Sequence, residues 1–252
     1  MVYFVGAGPG APDLITVRGQ SYLSQADVVI YAGSLVNPRL LEETKKGCQI
    51  HNSAVMTLEE VIQVMEQAEK ERKMTVRLHT GDPCLYGAVR EQMDMLDRRH
   101  IPYEVCPGVS SFGAAAAALE MEYTLPSVSQ SVVITRMAGR TPVPDRESIA
   151  SFAAHRSTMV IFLSAGMLDR LSAELTEGGY DPDTPAAIVY KASWPQEKTA
   201  VCTVGTLRER AEELGIRKTA LIIVGDAVSQ RNYDRSKLYD PGFTTEYRKG
   251  SD

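Results

Sequence analysis

Short apolar runs alternate with amphipathic stretches along the whole chain, and that alternation predicts an α/β protein. Strand-length runs stand at Met1-Val2-Tyr3-Phe4-Val5, Val28-Val29-Ile30-Tyr31, Val76-Arg77-Leu78-His79, Val132-Val133-Ile134 and Met159-Val160-Ile161-Phe162-Leu163. Two more follow at Ala186-Ala187-Ile188-Val189-Tyr190 and Ala220-Leu221-Ile222-Ile223-Val224. Unbroken apolar runs of this length suit strands buried on both faces, as in sheets covered by helices. Between them lie helices with readable starts. Thr57 and Glu60 form a capping-box pattern ahead of the stripe Leu58, Val61, Ile62 and Met65, the spacing of one helix face. Thr206 and Glu209 repeat the signal, with Gly215 as the stop. Met167 to Glu177 reads as a third helix closed by Gly178-Gly179, and Ala114 to Leu119 as another.

Tyr123-Thr124-Leu125-Pro126-Ser127 looks like a connector. It divides the chain into an N-terminal α/β domain, 1–126, a C-terminal α/β domain, 127–240, and a tail, 241–252. From Ser229 onward the sequence is polar and shows neither helical nor strand periodicity, which predicts a partly ordered surface segment.

Three loops between strands and helices carry the candidate chemistry. Gly6-Ala7-Gly8-Pro9-Gly10-Ala11-Pro12-Asp13 follows the first strand. Gly6, Gly8 and Ala11 match the dinucleotide fingerprint in spacing, which leaves a nicotinamide-dependent oxidoreductase as one reading. Pro12, where that fingerprint's helix should be running, opposes it. So does Ile30-Tyr31-Ala32-Gly33, which ends the second strand without an acidic residue for a ribose. The loop reads otherwise as a plain glycine turn, or as backbone brought close to a ligand. Thr80-Gly81-Asp82-Pro83-Cys84-Leu85-Tyr86-Gly87 lies at a strand's carboxyl end, before a helix expected near Ala88. Asp82 there is either a ligand acceptor or a turn aspartate bonding its own backbone. Pro107-Gly108-Val109-Ser110-Ser111 sits between the strand Tyr103 to Cys106 and a helix, where either serine also suits an N-cap.

Taken in order, these loops closely resemble those of the tetrapyrrole (corrin and porphyrin) methylases. Thr184-Pro185-Ala186-Ala187-Ile188-Val189 and Thr219-Ala220-Leu221-Ile222-Ile223-Val224-Gly225 extend the resemblance over nearly the whole chain. It implies two α/β domains with a cofactor cleft between them and transfer of a methyl group from S-adenosylmethionine, with S-adenosylhomocysteine as product. Matched position by position, the resemblance implies cofactor contacts at Pro9, Thr80, Gly81, Asp82, Leu85, Ser110, Ser111, Leu163, Ala192, Thr219 and Ala220. This sequence has Ser110-Ser111 where relatives often have Thr-Ala. Tyr31-Ala32-Gly33-Ser34-Leu35-Val36 resembles the members that methylate C11 of precorrin-4 or cobalt-precorrin-4 in cobalamin biosynthesis; methylation of uroporphyrinogen III is the alternative. Such substrates bear many carboxylates, which arginine forks suit. The candidate substrate contacts are Gly8, Gly10, Asp13, Arg136 and Arg140, the two arginines reading otherwise as exposed loop residues. No catalytic acid or base is expected, because the chemistry asks chiefly for alignment of donor and ring carbon. Family members are commonly homodimers, which sets the same expectation here.

Composition narrows the field. The 252 residues are 44% hydrophobic and 23% charged, ordinary for globular proteins and enough for a sizeable core. A formal net charge of −5 disfavours nucleic-acid partners, ribosomal RNA included. The apolar runs are too short for membrane spans, and the start of the chain has no signal-peptide pattern, so a cytoplasmic location is expected. The four cysteines and four histidines are scattered, which predicts neither a disulfide framework nor a protein-bound metal.

Overall fold

A computed structural model describes residues 1–251 as two compact units. The first comprises Met1–Ala114 with Lys191–Gln196, and the second Ala115–Tyr190 with the described residues from Glu197 onward.

In the first unit, β1 (Val2–Gly6), β2 (Val28–Tyr31), β3 (Gln49–Asn52), β4 (Thr75–His79) and β5 (Tyr103–Cys106) form an all-parallel sheet of order β3-β2-β4-β1-β5. One face packs on α1 (Val17–Gln25), where Leu23 meets Val5, Val29, Val76 and Leu78. The other packs on α2 (Leu58–Lys70) and α3 (Arg90–Asp97), through Val61, Ile62, Met65, Met93 and Leu96 against Val2, Phe4, Val28 and Ile30. Side chains alternate across each strand, so helices on both faces explain why the strands read as continuous apolar runs. Burying side chains the size of Phe4 or Ile62, each at most 1% exposed, stabilises the fold by roughly 1.5–3 kcal/mol apiece. The capping box at α2 forms in full, with Thr57 and Glu60 each accepting the other's backbone N–H.

The connections fix where ligands meet a sheet of this kind. After β1 the chain crosses to β2 on one side; after β4 it crosses over β1 to β5 on the other. The connections leaving β1 and β4 therefore run to opposite sides of the sheet, and the carboxyl ends of these two strands form its switch point, where ligands commonly meet such sheets.

α4 (Ser111–Ala118) begins in the first unit and ends in the second. The second unit holds β6 (Val132–Arg136), β7 (Thr158–Phe162), β8 (Pro185–Tyr190), β9 (Lys198–Thr203) and β10 (Ala220–Val224) in the order β6-β7-β10-β8-β9. Here only β6 and β7 pair in parallel; the β7–β10, β10–β8 and β8–β9 ladders are antiparallel. α5 (Ile149–Ala153), α6 (Leu168–Glu177) and α7 (Leu207–Glu213) supply Ile149, Leu171, Leu175 and Leu207 to a core with Met159, Ile161, Ile188 and Ile222.

Several local expectations shift. β3 and β9 were not anticipated, because both are half-exposed and polar along one face. The helix expected near Ala88 starts at Arg90, since Tyr86 and Ala88 take left-handed backbone (φ 56° and 49°) that no helix accommodates. The helix expected over Ala114–Leu119 begins earlier, at Ser111. Thr206 does not cap α7 through its side chain; its Oγ1 instead accepts the Thr203 N–H at 3.0 Å, one turn earlier. The C-terminal segment is described as far as residue 251, and Arg248 there donates to the carbonyls of Leu238 and Asp240.

Candidate functional site

The three glycine-bearing loops of the first unit meet at the switch point given by its topology. The loop after β1 and the loop after β4 pair as a short bridge, with the Gly8 N–H donating to the Gly81 carbonyl at 3.3 Å and the Gly81 N–H to the Gly8 carbonyl at 2.7 Å. The loop after β5 packs beneath them. A Cβ on Gly108 would lie 2.1 Å from the Gly81 oxygen, and one on Gly6 would lie 2.5 Å from the Gly108 Cα. Real side chains do not fit at such distances, so these glycines exist to let three backbones touch. Gly81 also takes φ +59°, a conformation cheap only for glycine.

Asp82 ties the loops together. One carboxylate oxygen accepts the N–H of Cys84 at 2.7 Å, and the other accepts the N–H of Gly108 at 2.9 Å. The turn-aspartate reading is therefore realised, and the same side chain also pins the Pro107-Gly108 loop. Thr80, Leu85, Ser110 and Ser111 stand half-buried around this junction. Asp82 is the one charged residue among the candidate contacts nearest the junction. His79, immediately before Thr80, is buried against Phe4 with its Nε2 unpartnered. Burial, reinforced by the nearby Arg77 charge, pushes its pKa down to about 3. It is thus neutral near pH 7 and adds no positive charge beside the loops. Arg77 itself is buried, spans from the Gln92 side chain to the Ile30 carbonyl, and is held by desolvation at a pKa of about 10.

Ala192 is buried in the first unit, on the connector Lys191–Gln196. That connector reaches the glycine loop through residues the sequence reading passed over. The Trp194 indole N–H donates to the Pro9 carbonyl at 3.0 Å, and the Ser193 Oγ accepts the Ala11 N–H at 3.0 Å. From the chain after β2, the buried Asn37 amide donates to the Gly10 carbonyl at 2.8 Å. Pro9, Gly8 and Gly10 are all buried, whereas Asp13 is exposed. The available signals were slight: Trp194 is the chain's single tryptophan, and Asn37-Pro38 directly follows the motif ending at Val36.

In the second unit the pairing registers bring the remaining candidates to one sheet edge. Arg136 pairs with Phe162, Ile222 with Ile161, and Ala220 with Tyr190. The exits of β6, β7 and β8 and the entry of β10 therefore lie side by side. Leu163 and Thr219 sit at that edge, both exposed and both left-handed, at φ 54° and 59°. For a β-branched threonine this backbone is a clear outlier. Arg136 spends its guanidinium on its own loop, donating to the carbonyls of Met137, Thr141 and Pro142, while Arg140 is exposed. Among the described residues no group of three His, Cys, Asp or Glu side chains is placed to hold a metal ion, and no helix is long and apolar enough to cross a membrane.

Two sheets of these orders, with touching glycine loops at the carboxyl ends of the first, make an α/β protein with a junction built of main chain, and the chain belongs to the tetrapyrrole (corrin/porphyrin) methylases, whose family model matches residues 1–208. Its similarity to particular members is close. It is 54% identical to the cobalt-precorrin-4 C(11)-methyltransferase of Methanocaldococcus jannaschii, over 98% of this chain and 96% of that protein. It is 44% identical to the precorrin-4 C(11)-methyltransferase of Mycobacterium tuberculosis, over 94% and 95%. Among solved structures, a cobalt precorrin-4 methyltransferase superposes with a TM-score of 0.88 at 47% identity, covering 90% of this chain and 95% of that one. The uroporphyrin-III C-methyltransferase of Thermus thermophilus, solved with S-adenosylhomocysteine, superposes with a TM-score of 0.76 at 28% identity, covering 93% and 96%.

Proposed function

We propose that this chain is an S-adenosylmethionine-dependent methyltransferase acting on C11 of precorrin-4 or cobalt-precorrin-4, in cobalamin biosynthesis. The observation that carries the reading is the loop junction at the carboxyl ends of β1 and β4, with its touching glycines and the Asp82 carboxylate, in a chain 54% identical to an enzyme of that name. The junction suits the cofactor. Its rim offers hydroxyls and backbone groups at Thr80, Ser110 and Ser111, an apolar contact at Leu85, and the Asp82 carboxylate, whose charge favours a sulfonium. Bound there, the cofactor supplies an electrophilic methyl group with a neutral thioether as leaving group.

Pro9, Thr80, Gly81, Asp82, Leu85, Ser110, Ser111 and Ala192 are the proposed cofactor residues of the first unit, and Leu163, Thr219 and Ala220 those of the second. Gly8, Gly10, Asp13, Arg136 and Arg140 are the proposed tetrapyrrole residues. The chain's own work is to bind, orient and exclude water. No side chain is assigned proton transfer, because alignment of donor and acceptor is itself worth many powers of ten in rate. Uroporphyrinogen III methylation is the weaker reading, since the Bacillus subtilis enzyme of that name is only 30% identical over 90% of this chain. The proposal includes a cytoplasmic homodimer, for which light scattering on the purified protein is the check.

The test offers labelled S-adenosylmethionine with precorrin-4, cobalt-precorrin-4, uroporphyrinogen III and ribosomal RNA in parallel. Label entering a precorrin-4 form at C11 is the expected result. Label entering uroporphyrinogen III alone, or stabilisation by NADH without any by S-adenosylhomocysteine, overturns the proposal.

A further inference from the structure

A loop built from Gly8, Pro9, Gly10 and Ala11 has almost no side chain with which to hold itself. Glycine-rich backbone carries more conformational freedom than any other, so a fixed shape must be imposed from outside. Gly8 is held by its bridge to Gly81. Beyond it, three side chains from two remote segments take one polar group each. Trp194 Nε1 donates to the Pro9 carbonyl at 3.0 Å, Asn37 Nδ2 to the Gly10 carbonyl at 2.8 Å, and Ser193 Oγ accepts the Ala11 N–H at 3.0 Å.

The donors are themselves aimed. Asn37 Oδ1 accepts the Arg39 N–H at 3.1 Å, which turns the amide so that its NH2 faces Gly10. The Trp194 backbone N–H closes a turn on the Lys191 carbonyl at 3.0 Å, with Lys191 and Ser193 both left-handed at φ 48° and 65°. The Lys191 ammonium stands 5.3 Å from the indole centroid, within range of a cation–π attraction. Contact between indole and loop is so close that a Cβ on Gly10 would lie 2.1 Å from Trp194 Cδ1. Gly10 is thus explained by the tryptophan as much as by any ligand.

We infer that Trp194 and Asn37 are positioning residues for the methyl transfer: together they set the direction of the Pro9 and Gly10 peptide planes, and so the placement of the tetrapyrrole against the methyl donor. This rests on the function proposed above, in which Pro9 is a cofactor residue and Gly8 and Gly10 are substrate residues. A loop displaced by an ångström costs alignment rather than binding, on the order of 100-fold in rate.

Trp194→Phe keeps an aromatic ring at the position but removes the indole N–H together with part of the ring that packs on Gly10. Asn37→Asp keeps the oxygen that accepts from Arg39 and deletes the NH2 donor. Each variant is expected to lower kcat by about 10- to 100-fold, with the dissociation constant for S-adenosylhomocysteine changed by less than about threefold. Amide hydrogen exchange across residues 8–11 should accelerate in both, and the double variant should cost less than the product of the singles, because both act on one loop. Should Asn37→Asp fail to fold, Trp194→Phe decides. Folded variants with wild-type kcat and unchanged exchange overturn the inference, and so does a loss confined to cofactor affinity. A wild-type protein that methylates neither precorrin-4 form rejects the function instead, and the loop claim is then judged by the exchange measurement alone.

Discussion

The two units are built from the same inventory, five strands and covering helices, yet they present candidate residues in different ways. In the first, all strands run parallel, so each strand-to-helix loop emerges at the same end, and the connections after β1 and β4 run to opposite sides from there. Glycines form the loop junction, because backbone must touch backbone. In the second, antiparallel pairing alternates strand direction, so one edge collects the exits of β6, β7 and β8 but the entry of β10. At that edge the left-handed positions are Leu163 and Thr219 rather than glycines. The parallel sheet presents touching main chain at its strand ends, and the mixed sheet presents Leu163 and Thr219 from neighbouring strand ends.

That contrast is open to attack by substitution. The largest effect is expected from Gly108→Ala, whose Cβ would meet the Gly81 oxygen at 2.1 Å and the Gly6 Cα at 2.7 Å. A loss of about 3 kcal/mol in urea unfolding is expected from overpacking backbone that has no room to yield, together with loss of S-adenosylhomocysteine binding by calorimetry. Gly139→Ala in the second unit, where the nearest atom is the end of Met167 at 4.0 Å, should leave both unchanged; equal losses would erase the distinction.

Asp82→Ala comes next. It leaves the N–H groups of Cys84 and Gly108 without their acceptor, an expected cost of about 1–3 kcal/mol with weakened cofactor binding. An unchanged melting temperature and affinity would show that the three loops hold together without it.

His79 sharpens the comparison through pH. Its pKa falls from 6.5 to about 3 on folding, so between those values the unfolded chain binds a proton that the folded chain refuses. Stability should therefore decline as pH falls below about 6.5, by up to about 1.4 kcal/mol per unit. His79→Gln should flatten that part of the profile, and a profile that keeps its slope refutes the assignment. The smallest effect is at the helix starts. Thr57→Ala should cost about 1 kcal/mol by removing a complete capping box. In the second unit Thr206→Ala should act through the Thr203 turn rather than through α7, so its loss should leave the exchange protection of α7 unchanged.

Sequence alone determined the parts of this protein that depend on local physics. Unbroken apolar runs name the strands that carry both faces of a covered sheet, and the Thr57–Glu60 pair names a helix start. Glycines, prolines and one aspartate at strand ends name the loops. Tertiary structure decided everything that needs two distant segments in one place. It made Asp82 a clasp between loops and Gly6 and Gly108 mutual contacts, and it put four second-unit candidates on one edge through strand register. It also brought Trp194 and Asn37 to the Pro9 and Gly10 carbonyls. A hydrogen bond between residues 185 positions apart leaves no trace in the spacing around either partner, because chain propensity acts over a few residues whereas contact is set by the fold.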